Sequence, residues 1–228
     1  MSNFQYKCYG NTVNPKKLVV FIHGYKSSMS DLAADVGLLS SLLPDCLIVT
    51  PQSNKYHKNS GVLEWYDVSV YDTERKRRNP ETPIDEIVEI YNQAGEQLSD
   101  RAREMNEFVD EMQSLYGLDD EWTYIAGFSQ GAMMALYTAL SRNGRVGGCF
   151  MLSGIVAGKD CLEKELKSRP IVYMLHGQSD ITVQYRTLDF SARWLREHGI
   201  DVQVREYEGL AHKIVDAELE FVANVVKI

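Results

Sequence analysis

Thr123-Tyr124-Ile125-Ala126-Gly127-Phe128-Ser129-Gln130-Gly131-Ala132 decides the reading of this chain. An apolar strand pattern runs into Gly-x-Ser-x-Gly, and a helix-forming stretch from Ala132 to Leu140 follows. Strand, Gly-x-Ser-x-Gly and helix together make a nucleophile elbow, a strained turn that exposes the serine hydroxyl. The residues two before and two after the serine must be small because the turn brings backbone segments together, and Gly127 and Gly131 meet that need. The following helix aims its N-terminus at the serine, where free N–H groups favour developing negative charge.

A serine hydroxyl is a weak nucleophile and needs a base and an orienting acid. On an open sheet with this elbow, the acid and then the histidine follow the serine in the chain. Ile171 to Leu175 reads as a strand, and Asp180 lies in the loop beyond it; Asp201 to Tyr207 reads as another, and His212 lies in the loop after that. Loops past strand ends are where open α/β sheets place their sites. Ser129 is therefore expected as nucleophile, His212 as general base and acid, and Asp180 as orienter. The rivals fit less well. His176 opens the acid loop and suits a backbone hydrogen bond; His23 and His57 precede the serine; His198 ends a helix; Asp189 and Asp216 fall on helices. Charge on the attacked carbonyl oxygen requires donors. The N–H of Gln130 and that of Tyr25, after the strand Leu18 to Ile22 and His23-Gly24, are expected to supply them.

Phe21-Ile22-His23-Gly24, Pro51, Trp65-Tyr66-Asp67, Gly127-Phe128-Ser129-Gln130-Gly131, Leu152-Ser153-Gly154, His176-Gly177-x-x-Asp180 and Gly209-x-x-His212 span nearly the whole chain. In order and rough spacing they resemble the phospholipase/carboxylesterase family, bacterial relatives of acyl-protein thioesterases. The resemblance implies one α/β-hydrolase domain over 1–228, with a mostly parallel central sheet flanked by helices and no large cap. It implies hydrolysis of carboxylic esters or thioesters through a serine acyl-enzyme, with no metal or organic cofactor. A peptide or lactone substrate for the same triad, or a binding protein that keeps only the shell, are the alternatives. Tyr25-Lys26-Ser27-Ser28 departs from the Leu-Gly-Asp-like stretch usual after His-Gly, and makes the rim more polar and bulkier. Tyr66 stands where Phe is common, and Arg75-Lys76-Arg77-Arg78 matches no family hallmark.

The rest of the chain sets bounds. At 228 residues with 44% hydrophobic content, it can bury a substantial core. A net charge of -8 argues against nucleic acid as a partner. Arg75 to Arg78 reads as a solvated loop, or as an attraction for an anionic headgroup or acidic substrate tail. Met1 to Asn14 holds no apolar signal core and no run approaches spanning length, so a cytoplasmic chain without stable membrane insertion is expected. Cys8, Cys46, Cys149 and Cys161 lack Cys-x-x-Cys spacing, and the scattered histidines show no metal cluster.

A short edge strand is expected over Phe4 to Tyr9, and a helix from Asp31 to Leu43 with Ser30 as its cap. Ile84 to Leu115 should be helical and broken near Gly95; Gln184 to Glu197 and Lys213 to Val226 should be helices. Trp65, Tyr66, Ile181, Val183 and Leu210 are candidates to wall a site for a small-molecule or lipid-like ester or thioester. Met133 and Met134 read as core. The irregular segment 67–94 could act as a flap, and apolar surface near it could support a homodimer.

Overall fold

The computed structural model describes residues 4–228; the first three residues of the N-terminal stretch read above lie outside the described residues. Nine strands and seven α-helices follow in order among them. They are β1 (Tyr6–Gly10), β2 (Lys17–Ile22), α1 (Ala33–Leu42), β3 (Cys46–Pro51), β4 (Lys55–Tyr56), β5 (Leu63–Glu64), α2 (Ile84–Asn92) and α3 (Gly95–Tyr116). The second half holds β6 (Thr123–Phe128), α4 (Gln130–Ser141), β7 (Gly148–Leu152), α5 (Lys159–Glu165), β8 (Val172–Gly177), α6 (Leu188–Glu197), β9 (Val202–Tyr207) and α7 (Asp216–Lys227).

Seven strands form one sheet in the order β1-β3-β2-β6-β7-β8-β9, and β4 pairs with β5 in a separate ribbon. Within the seven-stranded sheet of the described residues only the edge strand β1 runs antiparallel to its neighbour, and the β4–β5 ribbon is antiparallel too. Parallel strands need crossovers, and the helices that provide them cover both faces, so the inner strands read as largely apolar runs, while the edge strand β9 alternates. Alternate residues point to opposite faces. Leu18, Val20 and Ile22 of β2 join one core with α2 to α6, while Val19 and Phe21 join a second core with α1 and α7. Strand order reverses between β2 and β6, which pair side by side from Leu18↔Thr123 to Ile22↔Gly127. The crevice beyond the carboxyl ends at such a switch point is where open sheets bind ligands.

The edge strand and the break before Gly95 occur where expected. Gly95 is needed there, because a Cβ would meet Cys161 Sγ at 2.7 Å where α3 packs on α5. Three helix starts differ, and of these α6 begins at Leu188, behind a single 3-10 turn over Tyr185–Thr187. Helix α1 begins at Ala33 after Leu32, and the Ser30 side chain accepts from Lys7 Nζ (2.9 Å) instead of capping. Helix α7 begins at Asp216, because Val215 is extended (φ -131°) as it leaves the loop carrying His212. The segment 67–94 is tied to the body: Gln184 Nε2 donates to the carbonyls of Arg77 (2.9 Å) and Asn79 (3.0 Å), and Arg186 donates to that of Thr82. No helix among the described residues is long and apolar enough to cross a membrane.

Candidate active site

Ser129 ends the turn between β6 and α4 with φ 56° and ψ -118°. A non-glycine residue there is strained, and such strain persists only when its surroundings impose it. Here they do. A Cβ on Gly127 would lie 2.2 Å from the Gly131 carbonyl oxygen, and one on Gly131 would lie 2.1 Å from that of Ile22. Both glycines are required for contact, as the spacing implied.

His212 Nε2 lies 2.9 Å from Ser129 Oγ, and its Nδ1 lies 2.7 Å from Asp180 Oδ2. The other carboxylate oxygen accepts the backbone N–H groups of Thr182 (2.8 Å) and Val183 (3.1 Å). Burial alone would raise the Asp180 carboxyl, but hydrogen bonds from His176 and His212 outweigh it and hold the group well below the usual carboxylate range. An ionised carboxylate only accepts, so the His212 proton sits on Nδ1 and Nε2 is left to accept from the serine hydroxyl. The two loops meet because Gly177 has no side chain; a Cβ there would lie 2.2 Å from the Leu210 carbonyl oxygen. His176 is buried, with Nε2 2.9 Å from the Val183 carbonyl oxygen and 3.3 Å from Asp180 Oδ2. It props the acid loop, as its position suggested.

Tyr25 and Gln130 border the same cavity as Ser129. Among the described residues neither backbone N–H has an acceptor within the chain. Gly24 packs close to Ser129, since a Cβ on it would lie 3.4 Å from Ser129 Cβ. The Gln130 side chain has a role that motif reading missed. Its Oε1 accepts from Trp65 N (2.8 Å) and its Nε2 donates to the Tyr66 carbonyl (2.7 Å). Trp65 Nε1 in turn donates to the His23 carbonyl (2.7 Å), and His23 Nε2 accepts from Ser53 N (3.1 Å). Burial lowers His23 to about 4, so it stays neutral in this scaffold. The buried amide of Gln130 thus joins the elbow to the loop bearing Tyr25.

The cavity beside Ser129 is narrow, about 50 Å³, and Tyr66, Val68, Met133 and Val183 form its apolar wall. Of the five residues expected to wall the site, Tyr66 and Val183 border it. Trp65 is buried behind it as described, Leu210 is buried against Gly177, and Ile181 is 73% exposed. Met133 and Met134 are both core, and Met133 also borders the cavity, with its Sδ 2.7 Å from the Tyr66 hydroxyl. Asp67 forms a turn by accepting Ser69 N (2.9 Å) and Oγ (2.5 Å). Folding brings His57, Glu64 and Asp67 together, with ligand atoms within 4.8 Å of one another. The sequence scatter of histidines hid this cluster. It could hold a cation, but Ser69 Oγ already lies 3.0 Å from His57 Nε2, and Lys55 Nζ lies 3.9 Å from Glu64.

Residues 9–228 match the family model described as Phospholipase/Carboxylesterase. Carboxylesterase SOBER1 of Arabidopsis thaliana is 30% identical over 115 residues, covering 49% of this chain and 50% of that protein. A second Arabidopsis relative, a probable carboxylesterase SOBER1-like, is matched over 44% of its length, so the chain spans about half the length of these two. Acyl-protein thioesterase 1 of Saccharomyces cerevisiae is 24% identical over 93% of this chain and 92% of its own length. Among solved structures, esterase PE8 superposes with a TM-score of 0.81 at 24% identity, covering 98% of both chains, a likeness of fold. With a mostly parallel sheet, a serine elbow at its switch point and a family match over nearly its whole length, the chain belongs to the phospholipase/carboxylesterase family of α/β-hydrolases.

Proposed function

We propose that this protein hydrolyses carboxylic esters or thioesters through an acyl-enzyme on Ser129. One observation carries the reading: Ser129 Oγ, His212 and Asp180 form a continuous hydrogen-bonded chain on a turn strained to φ 56°. Three loops from distant parts of the sequence converge for this, and packing alone does not call for a buried carboxylate, an imidazole and a strained serine in line.

The chemistry follows from the proton positions. As the serine oxygen attacks the substrate carbonyl, His212 Nε2 takes its proton, and Asp180 stabilises the resulting imidazolium. The N–H groups of Tyr25 and Gln130 receive the oxyanion, with Gln130 opening α4 so that the helix dipole adds to the field. His212 then protonates the departing alkoxide or thiolate. Water repeats the sequence and releases the acid. The narrow apolar cavity suits a short acyl group. The names of the relatives, carboxylesterase and acyl-protein thioesterase, agree with both leaving-group classes.

The test is steady-state hydrolysis of p-nitrophenyl esters and matching acyl thioesters of increasing chain length. Turnover should be highest for short acyl groups, and Ser129→Ala should lower kcat by a factor on the order of 10⁶. A Ser129→Ala protein with wild-type turnover would refute the assignment.

A further inference from the structure

Resting on the hydrolase reading above, we propose that the mouth of this site is an anion subsite, and that the substrate carries a carboxylate or phosphate on its leaving group. Outside the narrow cavity lies a second, wider one of about 400 Å³; Tyr25, His57, Ser69, Arg77 and Arg78 border both. The outer cavity is bordered by four cations, Lys26, Arg75, Arg77 and Arg78, and by one carboxylate, Asp72. Asp72 is committed to the loop itself. Its Oδ2 lies 2.8 Å from Arg77 Nε, and its Oδ1 accepts Arg77 N (3.4 Å). Among the described residues no carboxylate pairs with Lys26, Arg75 or Arg78. The inner cavity has two acids of its own: Glu64 pairs with Lys55 at 3.9 Å, while Asp67 accepts from Ser69, lies 3.8 Å from His57 Nε2 and keeps its negative charge. Set against Asp67, the three cations without a carboxylate partner leave a local excess of two positive charges beside the Ser129 cavity, in a chain whose net charge is -8.

The position of these charges is built. The backbone of the basic run is held by Gln184 at Arg77 and Asn79 and by turns Arg75 N to Asp72 O (3.0 Å) and Arg78 N to Arg75 O (3.1 Å). Lys76, by contrast, turns away to Glu74 (3.5 Å) and Glu86 (2.8 Å). A concave, low-dielectric wall focuses the field of such charges on its opening. With a short acyl group in the inner cavity, the leaving group emerges into this cationic space. Guanidinium groups match both carboxylate and phosphate oxygens.

The experiment compares three acetyl esters of one phenol framework: p-acetoxybenzoate, p-acetoxyphenyl phosphate and the neutral p-acetoxybenzamide. Each kcat/KM is divided by the hydroxide-catalysed rate of the same ester to remove leaving-group reactivity. At low salt at least one anionic ester should exceed the amide by roughly threefold or more, and the gap should close at about 0.5 M NaCl. A gap for the carboxylate alone or the phosphate alone supports the subsite and names its ligand. The double variant Arg75→Gln/Arg78→Gln, which changes two exposed side chains, should bring the ratio near one, while Lys76→Gln should keep it. Equal rates in the wild type, or a ratio that survives the double variant, would overturn the subsite and leave the hydrolase reading standing. No hydrolysis of any of the three esters by folded protein would overturn both.

Discussion

At the scale of single residues, the site depends on which atom of Asp180 faces which neighbour. Oδ1 is committed to two backbone N–H groups, and Oδ2 to His212 and His176. In Asp180→Asn the amide oxygen must stay with the backbone donors, so the amide nitrogen takes the place of Oδ2. It then donates to His212 Nδ1, and the imidazole proton moves to Nε2, facing the serine. The fold is kept and the base is lost. Steady-state kinetics of the variant should show kcat down by roughly 10³ to 10⁴ with KM little changed. An unchanged kcat would mean that Asp180 does not set the tautomer. The strained Ser129 and its two contact glycines were legible in the sequence because each is dictated by local geometry. The Gln130 side chain was not, because its partners, Trp65 and Tyr66, lie more than sixty residues earlier in the chain.

Elements carry these residues, and α7 shows how one is anchored. Glu218, in its first turn, is fully buried and accepts Val215 N at 3.0 Å, closing the segment that follows His212. Burial raises its carboxyl to about 7 even though the Val215 bond opposes this. A carboxyl raised on folding contributes its full stability below its unfolded value and loses it as pH rises through the folded one. Wild-type stability should therefore fall between about pH 5 and pH 8, by an amount on the order of 3 kcal/mol at most. Glu218→Gln, followed by urea unfolding across that range, should flatten the decline relative to wild type. An identical pH dependence in both proteins would show that Glu218 is already charged in the folded state. Sequence periodicity located α7 but began it early, since nothing in Lys213-Ile214-Val215 marks the extended backbone that the His212 loop imposes.

In the whole molecule, the order of strands puts the chemistry where it is. The switch between β2 and β6 sets the Tyr25 and Ser129 loops side by side, and the parallel run β7-β8-β9 brings Asp180 and His212 toward them. This much follows from alternating strand and helix patterns and from three motifs placed after strands. What the sequence hid lies between Pro51 and Pro83. That stretch has no period, so its side chains are placed by tertiary contacts alone. Tyr66 faces the cavity while Trp65 supports it from behind, and Arg77 closes in on it instead of remaining a solvated charge. Such assignments depend on clamps from Gln130 and Gln184, which no local pattern encodes. Catalysis at this site requires Ser129 to be an activated nucleophile. Fluorophosphonate labelling followed by peptide mass spectrometry measures that directly. A stoichiometric adduct mapped to Ser129, absent in Ser129→Ala and slowed in His212→Ala, is the expected result; folded wild-type protein that takes up no label, or takes it up at another residue, would contradict it.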